Sequence, residues 1–467
     1  MAGDVAIARL RQYLGELQPQ TRAMLAAAIE RAQMRGEEVL GTSFLLEELR
    51  RGLRPPQAPT VPRAGYPQRL FFTPLTPFLI DDAHGRKYLG RLSRTCLDPV
   101  WQWLCRDLVR AEAKAYADEA NMLLASGDQN GAEQLARTFQ DFVVERLREP
   151  LAAARSDERT DRRLSAQIGM RKASEDLREM DAILRSRDAL ALIGSRLPAM
   201  VPALADDQLD SVRTLLDSPV GCHPDVFLHA LLVVQSRLAA PWQLIRLAIH
   251  AASNDTAARI AQTPFAIALD IVIGDIERMI ATIRAALEAG RRSGLAPLVK
   301  DIHDAARALH TEIDLAADTP WARRLASARG NAARLLQVEI EGIPGRVRRL
   351  LRPRAGYELT QALDQTEVAD TEAALDLFGA CRTCAGELAL SEATRRVQSE
   401  LQNFFDSGMQ MLLDGLRTTG TAERACRQSQ VDAAVRFCGK LFGTEYAGLL
   451  TKAADVAAKG ELKAART

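Results

Sequence analysis

Aromatic side chains are scarce in this 467-residue chain: Phe, Trp and Tyr together make up 5% of it. A pocket built to cradle a carbocation needs aromatic walls, so that scarcity weighs against such chemistry. Excess charge is missing too. Lys and Arg number 61 against 60 Asp and Glu, a net of +1, where a dedicated nucleic-acid binder would be strongly basic. No apolar run approaches the roughly 20 residues of a membrane span, and the best one, Phe265–Ile273, contains Asp270. The first residues carry Asp4 and no apolar stretch, so no signal peptide is expected. Seven cysteines, an odd number without a secretory signal, predict reduced thiols in a cytoplasmic protein rather than a disulfide framework. Six dispersed histidines give no triad. The phosphate-cradling, dinucleotide-binding, zincin and nucleophile-elbow motifs are all absent from the sequence. Segments with the two-residue alternation of a half-buried strand are absent as well.

What is present is helical periodicity. Phe265, Leu269, Val272, Ile276, Ile280, Ile283 and Leu287 recur at steps of three and four, which puts them on one helix face. Thr263 is placed to cap that helix, Pro264 suits its first position and Gly290 its end. Leu295, Leu298, Ile302, Ala306, Leu309 and Ile313 make a second stripe, and Val397, Leu401, Phe404 and Met411 a third. Thr21–Met34, Trp101–Leu124 and Ala132–Leu147 read as helices on the same grounds. Ala and Leu, both strong helix formers, dominate throughout. The fold class is therefore all-α, and the expected architecture is an elongated multi-helix bundle or helical rod with a Pro-rich extended segment near the N-terminus.

The pattern breaks in a few places. Seven of the 20 prolines fall between Leu53 and Asp82, which predicts an extended or looped stretch. Its second half, Leu70–Ile80, is too apolar for a free linker and should pack on the body. A stretch rich in Arg, Pro and Gly follows Gly342. At roughly 150 residues per domain the length suggests about three. The breaks give an N-terminal helical segment (1–52), a Pro-rich extended segment packed on the body (53–82), a main helical body (83–341), an Arg/Pro/Gly-rich loop (342–357) and a C-terminal helical bundle (358–467).

Candidate sites are few. Arg346, Arg348, Arg349, Arg352 and Arg354 lie within nine residues free of acid, and Arg50, Arg51, Arg54, Arg63 and Arg69 occupy a second acid-free stretch. Guanidinium forks suit phosphate, anionic lipid or a carboxylate-rich partner. Phe71, Phe72 and Phe78 of the Pro-rich segment are candidates for a partner surface. Cys381 and Cys384, with Cys426 and Cys438, have the spacing of half a zinc site, but their helical register with Phe378, Leu388, Val431, Val435 and Phe442 reads as buried core. His223 and His229 flank a helix start for which Asp225 is the expected cap. Asp206-Asp207-Gln208-Leu209-Asp210 resembles the Asp-Asp-x-x-Asp pattern with which all-α prenyl-transferring and terpene-cyclising enzymes hold Mg²⁺. The resemblance covers those five residues and would make Asp206, Asp207 and Asp210 metal ligands. The same residues also read as an acidic helix start that complements the helix dipole.

The leading expectation is a cytoplasmic helical structural or adaptor protein that works through protein–protein contact, in tethering or assembly. It would need no cofactor and perform no catalysis of its own, and its partners would be other proteins. The first alternative is a helical regulator docking on nucleic acid or anionic lipid through Arg346–Arg354. The second is an Mg²⁺-dependent all-α enzyme using Asp206, Asp207 and Asp210.

Overall fold

A computed structural model describes residues 65–82, 84–352, 362–418, 420 and 423–464. The expected N-terminal helical segment 1–52 lies outside the described residues. Those described are overwhelmingly helical, and the chain is an all-α multi-helix protein. Among them no helix is long and apolar enough to cross a membrane. The chain forms two compact units, each assembled from two stretches: Met1–Thr73 with Leu104–Arg146, and Pro74–Trp103 with Leu147–Thr467.

The first unit shows how a proline-rich stretch becomes structured. Gly65 adopts a positive φ of 83° and starts the helix Tyr66–Phe71, where Pro67 occupies a first-turn position whose amide has no helical partner to lose. Two side chains reach in to complete the backbone bonding: Tyr116 Oη donates to the Pro67 carbonyl at 2.9 Å, and Gln140 Nε2 to the Phe71 carbonyl at 2.7 Å. Tyr116 belongs to the helix Arg110–Ser126 and Gln140 to the helix Gln129–Ser156. Around them Phe139 stacks on Tyr116 with ring centroids 4.3 Å apart and meets Phe71 edge-on at 5.5 Å.

The Pro-rich segment is thus corrected where it is described. Instead of being extended, it runs as the helix Tyr66–Phe71, a 3₁₀ turn Thr73–Phe78 and the strand Leu79–Ile80. Tight 3₁₀ turns tolerate proline because few of their amides need intrahelical acceptors. Phe71, Leu75 and Phe78 within it are fully buried. The helix read over Trp101–Leu124 is interrupted: Leu97–Trp103 gives way to a π-helical turn Leu104–Leu108, and Val109 leaves helical geometry with φ −141°. The chain leaves the second unit at that point.

In the second unit Leu79–Ile80 pairs in parallel with Leu92–Ser93, the one sheet among the described residues. The turn before Leu92 holds Gly90 at φ +66°, where a Cβ would collide with Leu232 of the helix Pro224–Arg237. That close approach lets Arg91 reach inward. Its guanidinium donates to the Pro77 carbonyl at 3.2 Å, to Gln235 Oε1 and to Asp275 Oδ2 at 3.5 Å. Gln235 Nε2 closes the network by donating to the same Asp275 oxygen at 2.9 Å. Burial pulls the Arg91 pKa below its ordinary value, against the pull of Asp275.

Asp275 lies on Ile267–Glu288, the helix foreseen from the longest stripe, and Leu269, Val272, Ile276, Ile280 and Ile283 are buried as the spacing requires. Thr263 does not cap it: its hydroxyl donates to the Ile260 carbonyl, and Pro264–Ala266 forms a 3₁₀ turn first. This helix packs against Leu244–Ala252, Leu295–Glu312 and Pro320–Glu341. Gln365–Thr383, Ser391–Thr418, Arg424–Phe442 and Thr444–Ala464 pack on one another towards the C-terminal end. In Ser391–Thr418 the buried residues include Val397, Leu401, Phe405, Met409 and Leu412, while Met411 is 62% exposed. The third stripe therefore turns by a residue from the one read in sequence.

The stretch 342–357, expected as a loop, is helical over Ile343–Leu351, with Ile343, Val347, Leu350 and Leu351 buried. Residues 353–361 lie outside the described residues. Pro344 sits in the first turn, where proline is tolerated, and the apolar face outweighs the loop-like composition.

Two stability outcomes are expected. Gln140→Leu removes the Gln140 hydrogen bond to the Phe71 carbonyl and should cost about 1–3 kcal/mol in chemical denaturation. Arg91→Met removes the donor to Gln235 Oε1 and one of the two cations on Asp275, which keeps Arg278 at 3.3 Å, and should cost about 1–3 kcal/mol. A loss under about 1 kcal/mol from Arg91→Met would show that the network is not a fastening.

Candidate functional site

The arginine cluster foreseen around residue 350 is free of acid in sequence but not in space. Arg346 meets Glu339 at 2.9 Å and Asp370 at 3.7 Å, Arg348 meets Glu400 at 2.6 Å, and Arg349 meets Glu367 at 3.8 Å. Arg292 shares Glu339 and Asp370, at 2.6 and 3.0 Å, so two arginines and two acids fasten three helices and a loop. The Arg352 carbonyl accepts from Gln430 Nε2 at 2.8 Å; Arg354 lies outside the described residues, as do Arg50, Arg51, Arg54 and Arg63. Arg69 is exposed and at the end of Tyr66–Phe71. Neighbouring helices thus supply Arg346, Arg348 and Arg349 with the carboxylates that the local sequence lacks.

Phe71, Phe72 and Phe78 are 0%, 4% and 0% exposed and offer no surface to a partner. Asp206, Asp207 and Asp210 occupy the exposed first turns of the helix Asp206–Leu216. Asp210 faces His250 Nε2 at 3.1 Å. Among the described residues no group of three or more His, Cys, Asp and Glu side chains is placed to hold a metal ion. Cys381, Cys384, Cys426 and Cys438 are buried and free, in the apolar register read from sequence. The expected helix cap at Asp225 is instead His223, whose Nδ1 accepts the Asp225 amide at 3.3 Å.

The structure brings together a different set of arginines. A cavity of about 1260 Å³ in the second unit opens between the end of Gln129–Ser156 and the helix Ala173–Ser195, closed by the turn leading into Pro224–Arg237. Arg148 and Arg155 line it from the first helix, Arg178 and Arg185 from the second. Between them the walls are apolar or small, with Leu151 and Ala152 on one side and Ala182, Ser186 and Ala189 on the other. Arg148, Arg155 and Arg185 are exposed and Arg178 is half-buried.

Local contacts hold the walls in place. Arg185 Nε donates to Asp181 Oδ2 at 2.9 Å, one turn back on the same helix. Arg178 donates to Ser174 Oγ at 3.4 Å and lies 3.9 Å from Asp161. Beneath the cavity, His229 Nε2 is 2.6 Å from Glu179 Oε1, which ties Pro224–Arg237 to Ala173–Ser195. His229 is 4% exposed and meets the Phe78 ring edge-on at 5.4 Å. Four guanidinium groups against the carboxylates of Asp181 and Asp225 leave the lining net positive.

Reading for runs of charge passes over these arginines, because acids such as Glu149 and Asp181 are interleaved with them. The signal that could have found them is spacing. Arg148 and Arg155 are seven apart, and so are Arg178 and Arg185, so each pair falls on one face of its helix. No family model matches the chain, and neither does any curated protein or solved structure.

Thiol reactivity tests the core assignment of the cysteines. Burial pushes the thiols of Cys96, Cys381 and Cys438 up to about 12 and raises that of Cys384. At pH 8 only about one in ten thousand of a thiol with such a pKa is thiolate. A disulfide reagent added to native protein should therefore modify exposed Cys222 first, and the buried five only on unfolding. Rapid native modification of Cys381 and Cys384 would contradict the assignment.

Proposed function

We propose that this chain is a helical interaction protein, and that the arginine-lined cavity of its second unit receives an acidic segment of a partner protein. The observation that carries the reading is the lining itself, four guanidinium groups on two facing helices with apolar and small residues between them. Guanidinium groups recognise carboxylates through paired donors and stay charged at any physiological pH. The volume of about 1260 Å³ exceeds the roughly 300–1,000 Å³ of small-molecule pockets, which favours a polypeptide over a metabolite. The exposed Val220 and the buried Leu151 and Val226 add apolar surface at the walls and rim. A purely ionic patch would lack that contribution to affinity.

The test uses the full chain and a fluorescein-labelled peptide in which Glu and Leu alternate with Ala, read by anisotropy. Binding is expected, and its Kd should rise at least about tenfold between low and high salt as the contacts between exposed charges are screened. Arg155→Glu, an exposed substitution, should weaken binding at least about tenfold with an unchanged melting temperature. Absence of binding at low salt, or indifference to Arg155→Glu, would overturn the proposal.

A further inference from the structure

A second cavity, of about 440 Å³, lies within the second unit along the latter half of the helix Ile267–Glu288. We propose that it is a binding site for a small phosphorylated polyol, with Arg86, Arg284 and Asn331 holding the phosphate and Glu288 accepting from the hydroxyls. The inference is independent of the larger cavity and goes beyond the function proposed for it.

Three elements bring the lining together. Arg324 Nε donates to Glu277 at 3.2 Å and Arg292 Nε to Glu339 at 2.6 Å, and in each pair the partners are 47 residues apart. Equal offsets at both ends mean that Pro320–Glu341 runs in the same direction as Ile267–Glu288, which sets Ala328 opposite Ala281 and Asn331 opposite Arg284. All four line the cavity. The third element is the turn that carries His84 and Arg86. Thr282 Oγ1 donates its one proton to the Arg278 carbonyl at 3.1 Å, so it accepts in its 3.3 Å contact with His84 Nε2. That bond fastens the turn to the helix two residues before Arg284, and Arg86 enters the lining beside it.

The charges that surround the cavity are mostly spoken for, and those within it are not. Arg278, Arg292 and Arg324 each meet a carboxylate. Among the described residues neither Arg86 nor Arg284 does, and both are exposed. Asn331 Oδ1 accepts from Arg334 Nη2 at 2.6 Å, which fixes the orientation of the amide and leaves Nδ2 as a donor. Of the two acids in the lining, Glu277 is offset by Arg324, while Glu288, one turn beyond Arg284, has no cation on it among the described residues.

Donors from three elements suit an anion whose acceptors point in several directions. A phosphate has three terminal oxygens, whereas the two of a carboxylate lie in one plane. Guanidinium forks match phosphate through paired donors. The volume falls within the roughly 300–1,000 Å³ of small-molecule pockets, so there is room for an organic part beside the phosphate. Ile280, Ala281, Ala285 and Ala328 make up the rest of the lining, with no Phe, Tyr or Trp on which a nucleobase would stack. Glu288 is an acceptor for hydroxyl groups. A phosphorylated polyol meets these demands together.

The experiment is isothermal titration calorimetry of the full chain at low salt with glucose 6-phosphate, glycerol 3-phosphate, inorganic phosphate and glucose. At least one of the two phosphorylated polyols should bind saturably, inorganic phosphate at least about tenfold more weakly, and glucose not at all. Arg284→Met removes a cation without an ion pair. Asn331→Asp keeps an oxygen for Arg334 but replaces the amide donor with a carboxylate. Each should weaken binding at least about tenfold with an unchanged melting temperature, and Arg155→Glu in the larger cavity should leave it unaltered. Failure of both phosphorylated polyols to bind would overturn the proposal. So would equal affinity for inorganic phosphate or glucose, indifference to both substitutions, or loss of binding with Arg155→Glu.

Discussion

Arg91 is the charge on which the second unit depends. Bringing a guanidinium to 12% side-chain exposure removes its hydration, and that cost is recovered only if its donors find acceptors. Pro77, Gln235 and Asp275 supply them from a 3₁₀ turn and two helices. None of these acceptors is near Arg91 in sequence, so their convergence fixes how the segment after Pro74 sits against Pro224–Arg237 and Ile267–Glu288. The rest of the unit follows from those positions. Pro224–Arg237 packs on Ala173–Ser195, the His229–Glu179 contact holds the two together, and both help to line the arginine cavity. A polar network thus sets the positions that apolar packing then fills.

Polar fastening recurs because the cores here are built largely from Ala, Leu, Val and Ile. Such side chains repack with little penalty, so burial alone gives a compact bundle more readily than a unique one. Asp270 illustrates the compensation. It is the lone charge in the apolar run Phe265–Ile273, and Trp321 Nε1 and Arg324 Nη1 reach it at 3.1 and 2.7 Å. The Arg292, Arg346, Glu339 and Asp370 cluster does the same further along the chain. Each ties specific helix faces at a specific register, which an alanine-rich interface would otherwise leave ambiguous.

How far the structure could be read from sequence follows from the range of each interaction. The helix Ile267–Glu288 was legible because its stripe is a local periodicity that burial then satisfies, and the cysteine register was legible for the same reason. The capping role of Thr263 was misplaced because a preceding 3₁₀ turn, invisible to periodicity, takes up the first residues. The loop character of 342–357 was misjudged over Ile343–Leu351 because Arg, Pro and Gly were weighed as composition, while Val347, Leu350 and Leu351 were already spaced for one face. The acid-free look of Arg346, Arg348 and Arg349 dissolved because their carboxylates come from 7 to 52 residues away. The cavity arginines lay hidden in mixed-charge helices that read as ordinary solvent faces. Only the approach of two such faces makes them a site, and no window of one helix contains that information.

The difference between these two sets of arginines is energetic as well as geometric. Arg292 is 12% exposed and shares Glu339, itself 10% exposed, with Arg346. Opening that cluster to a ligand would leave buried charge uncompensated, a cost of several kcal/mol. Arg185, 37% exposed, and Asp181, 17% exposed, form a one-turn pair on a single helix. Arg292 and Arg346 are thus held by acids from other helices, while Arg185 bonds to an acid one turn back on its own helix.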